Sequence, residues 1–169
     1  MKTLLLVRHA KSSWKDADIS DLDRPLKGSG VKDAIEVAEK LRARKISPDL
    51  LITSPAVRAM STTLIFSRIL KYHYNRIVIN DLVYDFSKDA LLPLLRNIDD
   101  KYDVVMMVGH DPAFTYLLND LTGKAIEKMP TASVVKINFT VKHWQKITPK
   151  KGKLLFLLGP KKKKKIAET

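Results

Sequence analysis

Short apolar runs alternate with longer amphipathic stretches along the chain. Runs that are apolar at nearly every position predict strands covered on both faces, and alternation of apolar with polar residues predicts a half-exposed strand. The predicted strands are residues 3–7, 50–53, 77–79, 103–108, 134–141 and 153–158. Strands separated by amphipathic helices are typical of a mainly parallel sheet. The pattern therefore predicts an α/β fold, a three-layer sandwich whose mainly parallel central sheet has helices on both faces.

The helices are predicted from apolar spacing and from residues that start helices. One apolar face comprises Val31, Ala34, Ile35, Ala38 and Leu41, and a further helix is predicted over residues 89–98. Ser54 followed by Pro55 predicts an N-cap and a first helical position, which places Arg58 in the first turn of the next helix. Asp111 and Pro112 repeat this start and predict a helix that runs to about Leu121.

The composition fits one globular domain. The chain has 169 residues, of which 45% are hydrophobic and 29% are charged, so that residues 1–160 are predicted to form a single domain. No cysteine is present, which excludes disulfides, thiolate nucleophiles, zinc fingers and iron–sulfur clusters and favours the cytoplasm. The apolar runs are too short for a signal peptide or a membrane span, so no membrane insertion is expected.

The net charge of +13 is concentrated at the carboxyl end. Residues 142–169 hold ten lysines and one acidic residue, and therefore nine of the thirteen net charges. The run Lys161 to Lys165 predicts a solvated, disordered tail over residues 161–169. Nucleic acid binding is disfavoured because the nearby aromatic residues, Trp144 and Phe156, provide no stacking platform. A weak electrostatic contact of this tail with RNA, an acidic protein or a membrane surface is the alternative.

Polar residues that suit phosphate follow three of the predicted strands. Arg8 and His9 follow the first strand, Arg58 follows the second, and His110 follows the strand at 103–108. In open α/β sheets, ligands bind beyond the carboxyl ends of the strands, so these residues are expected to converge. Arg58 is a cation in the first turn of a helix, where it opposes the helix dipole. A phosphoryl group would compensate, because it binds both a guanidinium and a helix N-terminus.

Each of these residues also has a purely structural interpretation. Arg8 fits a surface charge at a strand end, and His9 fits a partly buried, hydrogen-bonded histidine. His110 fits a turn residue that bonds the backbone, and Arg58 fits a structural ion pair with an acid such as Asp85. All four interpretations would have to hold independently at matching strand ends. The combination therefore favours a site.

Four blocks in this order carry a resemblance to a known family. They are residues 5–10 (LLVRHA), 23–26 (DRPL), 53–59 (TSPAVRA) and 108–112 (VGHDP). In order and approximate spacing they resemble the histidine phosphatase superfamily. The small size, Ala10 in the first block, the block at 23–26, the LVYD sequence at 82–85 and the late Trp144 make the chain most similar to SixA-type phosphohistidine phosphatases. The resemblance covers residues 1–160 and implies a phosphoglycerate mutase-like fold.

The resemblance implies a role for each site residue. His9 is the expected nucleophile, which forms a phosphohistidine that water then hydrolyses, without a metal or a cofactor. Arg8, Arg58 and a protonated His110 are expected to hold the phosphoryl oxygens. Arg24, in the long polar loop over residues 10–28, is placed near the phosphate or the phosphorylated group of the substrate. A loop ion pair of Arg24 with Asp21 or Asp23 is the structural alternative.

The leaving group of the reaction limits the class of substrate, because it determines whether a general acid is needed. Many members of the wider superfamily use an acid to protonate an alcohol, and no such acid can be assigned here, although Asp18 and Asp85 are candidates. Because a P–N bond releases imidazole more readily than a P–O bond releases an alkoxide, the chain is expected to hydrolyse phosphohistidine in a protein. A phosphatase of small phosphorylated metabolites and a mutase are the alternatives within this chemistry. A non-catalytic module that binds phosphate or an acidic partner is the alternative outside it.

Overall fold

The computed structural model describes residues 1–84 and 88–161. The strands in this part of the chain are β1 (Lys2–Arg8), β2 (Leu50–Thr53), β3 (Val78–Ile79), β4 (Val104–Gly109), β5 (Val134–Phe139) and β6 (Lys153–Leu158). The α-helices are α1 (Gly28–Ala43), α2 (Val57–Ile69), α3 (Lys88–Arg96) and α4 (Ala113–Thr122), and single 3₁₀ turns lie at Tyr74–Arg76, Asp81–Val83 and Trp144–Lys146. Within the described ranges, none of these helices has the length and apolar character that a membrane span requires.

The strands form one sheet in the order β3-β2-β4-β1-β5-β6. The first four in this order are parallel, and β5 runs antiparallel to both of its neighbours. Alternate residues of β1 point to opposite faces, so that Leu4 and Leu6 pack in one hydrophobic cluster and Leu5 and Val7 in another. The first cluster includes residues of α3 and α4, and the second includes residues of α1 and α2. The predicted α/β fold with helices on both faces is confirmed.

The register of the sheet brings three strand ends together. Arg8 in β1 lies beside Gly109 in β4, and Thr53 in β2 lies beside Val108 on the other side of β4. Beyond these pairs, the backbone N–H of His9 donates to the Gly109 carbonyl over 3.0 Å. The residues that follow β1, β2 and β4 therefore lie at one edge of the sheet, as the parallel arrangement requires.

Two predicted helix starts are wrong by one or two residues. Helix α2 begins at Val57 and not at Pro55, because the Ser54 hydroxyl accepts from the Ala56 N–H and is held by another side chain described below. Helix α4 begins at Ala113, and the Asp111 carboxylate accepts a 2.6 Å hydrogen bond from the Thr115 hydroxyl in place of capping the backbone. The prediction that Arg58 lies in the first turn of α2 is confirmed.

Backbone hydrogen bonds join the two ends of the long loop between β1 and α1. Ser12 and Leu26 form an isolated antiparallel bridge, and the Ser13 N–H donates to the Pro25 carbonyl over 2.8 Å. Residues 14–23 are exposed, whereas Arg24 is buried. The loop therefore leaves the sheet edge and returns to it with one buried arginine.

The predicted tail over residues 161–169 lies outside the described residues except for Lys161. The backbone N–H of Lys161 donates to the Glu36 carboxylate on α1 over 2.9 Å. A disordered tail beyond this point, and a single domain that ends at residue 160, stay predictions.

Close packing at Gly30 supports the loop, and this gives a first prediction. A Cβ at Gly30 would lie 2.3 Å from the Lys11 carbonyl oxygen, two residues after His9. The Lys11 backbone cannot move aside without strain. Gly30→Ala should therefore lower the free energy of unfolding, measured in urea, by about 1–3 kcal/mol. Gly28→Ala is the control on the same helix, because nothing lies within 4 Å of its added methyl group. Equal stability of the two variants would contradict the packing argument.

Candidate active site

A cleft of about 460 Å³ opens at the carboxyl edge of the strands. All five residues predicted for the site lie on it, namely Arg8, His9, Arg24, Arg58 and His110. Among the described residues, Lys11 and Lys27 add two further cations, and Asp21 and Asp111 add two carboxylates. With neutral histidines the lining carries an excess of three positive charges. A concave, positively charged surface of this kind attracts and concentrates anions.

The His9 ring is held in one tautomer. It is 9% exposed, and its Nδ1 lies 2.7 Å from the Ala10 carbonyl oxygen, which can only accept. Nδ1 therefore carries the proton, and Nε2 keeps its lone pair. The sequence did not indicate which ring nitrogen would face a substrate, and this contact leaves Nε2 as the nitrogen with a free lone pair.

Burial keeps His9 neutral. Desolvation lowers the pKa of His9 to about 4, against the opposite effect of the hydrogen bond to Ala10, and the charges of Arg58, Arg8 and Arg24 lower the pKa further. An imidazole with such a pKa is almost fully unprotonated at neutral pH. The ring therefore keeps the lone pair that a nucleophile requires, with no need of a separate base.

This lowered pKa predicts the pH dependence of the reaction. Because the folded protein holds the pKa of His9 near about 4, kcat/KM should stay level as the pH falls through ~6.5, the ordinary value for histidine. It should fall only when the pH approaches about 4 and His9 becomes protonated. The measurement is a profile of kcat/KM, which reports groups of the free enzyme, corrected for titration of the substrate. An acid limb centred near ~6.5 would contradict this account of His9.

His110 faces His9 across the cleft. The two ring centroids are 5.1 Å apart because both residues follow neighbouring strands in register. Nε2 of His110 lies 2.7 Å from the Ser54 hydroxyl, and Nδ1 lies 3.3 Å from NH2 of Arg58. Since Arg58 can only donate, Nδ1 accepts and the ring is neutral.

The neutral state of His110 differs from the protonated ring that was expected to hold a phosphoryl group, and protonation on phosphate binding stays a prediction. Burial is the largest cause that lowers the pKa of His110, to about 3, and the adjacent His9 and Arg58 lower it further. The main physical reason is burial, and the positive charge of Arg58 beside Nδ1 adds to it. A phosphoryl dianion beside the ring would act in the opposite direction and raise this pKa.

Arg8 and Arg58 each present a buried donor without a partner. NH1 of Arg8 donates to the Met129 carbonyl over 2.6 Å and lies 3.8 Å from the Asp111 carboxylate. Arg58 is 1% exposed, and its two terminal nitrogens contact other groups. Among the described residues, Nε of Arg8 and Nε of Arg58 have no hydrogen-bond partner. A buried donor left unpaired costs about 1–3 kcal/mol, so each arginine keeps a hydrogen-bonding capacity that the described protein groups do not use.

Asp21 is the residue that sequence reasoning missed. Its Oδ1 lies 3.1 Å from Nε of Arg24, and its Oδ2 lies 3.0 Å from NH2 of Arg58 and 2.9 Å from the Tyr84 hydroxyl. The ion pair of Arg24 with Asp21 offered as an alternative is therefore present, and Arg24 lines the cleft as well. Arg58 pairs with Asp21, whereas Asp85 lies outside the described residues.

Trp14 and Ser12 hold Arg24 from other directions. The Arg24 guanidinium lies 3.5 Å from the centre of the Trp14 ring, and its NH1 donates to the Ser12 hydroxyl over 2.7 Å. Trp14 itself is 72% exposed at the rim of the cleft. In the sequence, the contact of Trp14 with Arg24 is indicated only by the presence of an aromatic residue and an arginine in the same loop. This signal is weak.

Of the two acid candidates, only Asp18 lies in the described part of the chain. Asp18 lies in the exposed part of the loop and does not line the cleft. Asp85 lies outside the described residues. Within residues 1–84 and 88–161, no cluster of three or more histidine or acidic side chains is arranged to hold a metal ion.

The chain is similar in sequence and in fold to known proteins. Residues 4–80, which carry His9, Arg24 and Arg58, match the sequence model of the histidine phosphatase superfamily, branch 1. The predicted resemblance to the histidine phosphatase superfamily is confirmed. The match to the superfamily model, the 26% identical SixA structure and a mutase relative support phosphatase or mutase activity for the chain.

Two solved structures extend the likeness in fold over nearly the whole chain. A SixA protein of Agrobacterium tumefaciens, which carries the name of a phosphohistidine phosphatase, is 26% identical, with a TM-score of 0.80 over 94% of this chain and 98% of that one. The protein histidine phosphatase SixA in complex with tungstate is 19% identical, with a TM-score of 0.76 over 94% of this chain and 97% of that one.

Relatives in sequence include proteins of different length. An uncharacterized chloroplastic protein of Arabidopsis thaliana is 43% identical over 61 residues, which span 36% of this chain and only 28% of that protein. A 2,3-bisphosphoglycerate-dependent phosphoglycerate mutase of Chlamydia caviae is 26% identical over 94% of this chain and 68% of its own length. The histidine phosphatase likeness is thus shared by hydrolases and mutases.

Proposed function

We propose that this chain is a metal-independent phosphatase that works through a phosphohistidine on His9 and hydrolyses phosphohistidine in a protein. One observation carries the proposal. A neutral, buried His9, fixed through Nδ1 by Ala10, lies in a cationic cleft that Arg8 and Arg58 also line, and the Nε–H groups of these arginines have no partner among the described residues. This arrangement places a nucleophile beside guanidinium groups that can bind the oxygens of a phosphoryl group.

The first step transfers the phosphoryl group to the enzyme. Nε2 of His9 attacks phosphorus, the new P–N bond forms, and the bond from phosphorus to the imidazole of the substrate breaks. The electron pair of that bond leaves with the substrate ring. When the other ring nitrogen of the substrate carries a proton, the leaving group is a neutral imidazole and takes no proton from the enzyme.

The second step restores His9. Water attacks the phosphorus of the phosphohistidine, the bond to Nε2 breaks, and the electron pair returns to the His9 ring. The proton released by water stays with the inorganic phosphate. Division of the reaction into two displacements is the usual benefit of a covalent intermediate.

The arginines stabilise the charge in both steps. In phosphoryl transfer the transition state is loose and negative charge is spread over three oxygens, so positioning and electrostatics supply most of the catalysis. The Nε–H groups of Arg8 and Arg58 are buried, and they are held by contacts on their terminal nitrogens. Donors fixed in this way need no reorganisation when the charge develops.

The Asp21 carboxylate in the cleft favours a P–N substrate over a phosphomonoester. Burial of Asp21 acts to raise its pKa, but the hydrogen bonds from Tyr84 and Arg58 outweigh burial and hold this pKa below its ordinary value. A carboxylate that stays ionised cannot protonate an alkoxide at neutral pH. The SixA structure of Agrobacterium tumefaciens, which is named for phosphohistidine, supports the same choice. We also propose a cytoplasmic location, because the lack of cysteine favours a reducing compartment.

The test compares phosphate release from a histidine-phosphorylated protein with release from an aryl phosphate, both in EDTA. We expect the P–N substrate to be hydrolysed with a kcat/KM higher by about 10²-fold or more, the range that a missing general acid accounts for. A preference for phosphomonoesters would favour a phosphatase of small metabolites or a mutase, which the relative in Chlamydia caviae suggests. Phosphate binding without turnover of either substrate would favour the non-catalytic module.

A further inference from the structure

The Asp21 carboxylate occupies donors in a cleft that is otherwise suited to an anion. Its two oxygens accept from Arg24, from NH2 of Arg58 and from the Tyr84 hydroxyl, over 2.9 to 3.1 Å. The backbone carbonyl of Asp21 also accepts from NH1 of Arg58. A single loop residue therefore engages both terminal nitrogens of the buried arginine.

The position of Asp21 in the loop shows that these contacts are specific. Residues 14–23 are exposed, and the Asp21 side chain is itself 42% exposed, yet its carboxylate points at the cleft. The neighbouring carbonyl of Leu22 accepts from the N–H of Val57 over 2.8 Å, at the first residue of α2. The loop is thus docked on the start of the helix that carries Arg58.

We propose that Asp21 is an internal counter-ion, which competes with the phosphoryl group for Arg24 and Arg58 and thereby limits how tightly the cleft holds inorganic phosphate. This inference rests on the proposed function. It assigns Asp21 to the control of anion affinity, and it names inorganic phosphate, the second product of the reaction, as the ligand whose release Asp21 assists.

Charge is the physical basis of the proposal. The described lining holds five cations and two carboxylates, and Asp21 is the carboxylate in contact with Arg58. Replacement of Asp21 by Asn removes one of only two negative charges from a cleft that binds a dianion, while the amide oxygen can still accept from arginine. The attraction between the cleft and phosphate then increases, because the opposite charges lie close together and partly out of water.

A purely structural ion pair predicts a different result. If Asp21 only orients Arg58, loss of its charge loosens the guanidinium, and phosphate affinity stays the same or falls. The two accounts therefore differ in the direction of the change, and a binding measurement on the intact chain separates them without reference to turnover.

The experiment measures the Kd of inorganic phosphate by isothermal titration calorimetry for the full chain, for Asp21→Asn and for Asp23→Asn. Asp23 is the matched control, because it lies in the same exposed loop and its carboxylate bonds only the Ser20 hydroxyl among the described groups. We expect Asp21→Asn to bind phosphate about tenfold more tightly than the unmodified chain, and Asp23→Asn to bind it equally. The inhibition constant of phosphate in turnover should fall by the same factor.

Each outcome is decisive. A Kd for Asp21→Asn that equals or exceeds that of Asp23→Asn overturns the inference and leaves the proposed function intact. Lack of phosphate binding by all three proteins overturns the proposed function as well. If Asp21→Asn does not fold, Asp21→Ala replaces it, since it removes the same charge and should give the same gain in affinity.

Discussion

His9→Ala should lower phosphate release from a histidine-phosphorylated protein by about 10⁴-fold or more, because it removes the atom that bonds to phosphorus. No other described group can replace Nε2 of His9. His110 lies opposite, but its Nε2 is held by Ser54 and its Nδ1 by Arg58. The measurement is the rate of phosphate release, combined with the amount of acid-labile phosphate trapped on the chain during turnover, which should disappear in the variant.

His73→Ala is the matched control for His9→Ala, because His73 is exposed and does not line the cleft. It should leave both turnover and trapped phosphate unchanged. Turnover in His9→Ala above about a tenth of the original rate would exclude a covalent intermediate on His9 as the main route. The thermal transition of the variant shows whether its fold is retained.

Arg58→Lys should lower kcat/KM by about 10²- to 10³-fold, the range for loss of one fixed donor to a transition-state oxyanion. The lysine keeps a positive charge but lacks the Nε–H that Arg58 presents without a partner. It also lacks the planar fork that contacts Asp21 and His110 together. The loss therefore comes from geometry and not from net charge.

The matched control is Arg68→Lys on the same helix, where the arginine is exposed. It should leave kcat/KM unchanged and alter stability by no more than about 0.5 kcal/mol, the usual range for surface positions. A similar kcat/KM for Arg58→Lys and the original chain would show that charge alone suffices, and it would remove the guanidinium geometry from the mechanism.

The strands and the layers of the fold were predictable because their signals are local. In β1, each residue from Thr3 to Val7 is buried, which is what a nearly continuous apolar run indicates for a central strand. The convergence of Arg8, His9, Arg58 and His110 on one cleft was predictable for a related reason. In a parallel sheet all strands end at the same edge, so residues that follow strands are neighbours whatever their separation in sequence.

The helix starts were less predictable because one side chain had two possible partners. Ser54 has the residue type and position of an N-cap, but its hydroxyl contacts Nε2 of His110, 56 residues away in sequence. Asp111 likewise binds Thr115 and lies near Arg8. Local preference predicts a cap, and the tertiary neighbours redirect the same oxygen atoms.

Asp21 was not predictable as a site residue, since the sequence offered Asp21 and Asp23 alike as structural ion-pair partners of Arg24 and gave neither of them a place in the site. Its importance arises from contacts with Arg58 and Tyr84, which are 37 and 63 residues away. The loop over residues 10–28 has no periodic pattern that would indicate which of its acids points inward. Only the return of the chain over the sheet edge makes that selection.

The sequence by itself determined the α/β fold, the residues that meet at the carboxyl edge and the family they resemble. The tertiary structure alone decided the tautomer of His9, the neutral state of His110 and the pairing of Asp21 with Arg58. The physical reason is the range of the effects. Hydrophobic periodicity acts over a few residues, whereas burial, hydrogen-bond partners and charge in the cleft depend on groups brought together from distant parts of the chain.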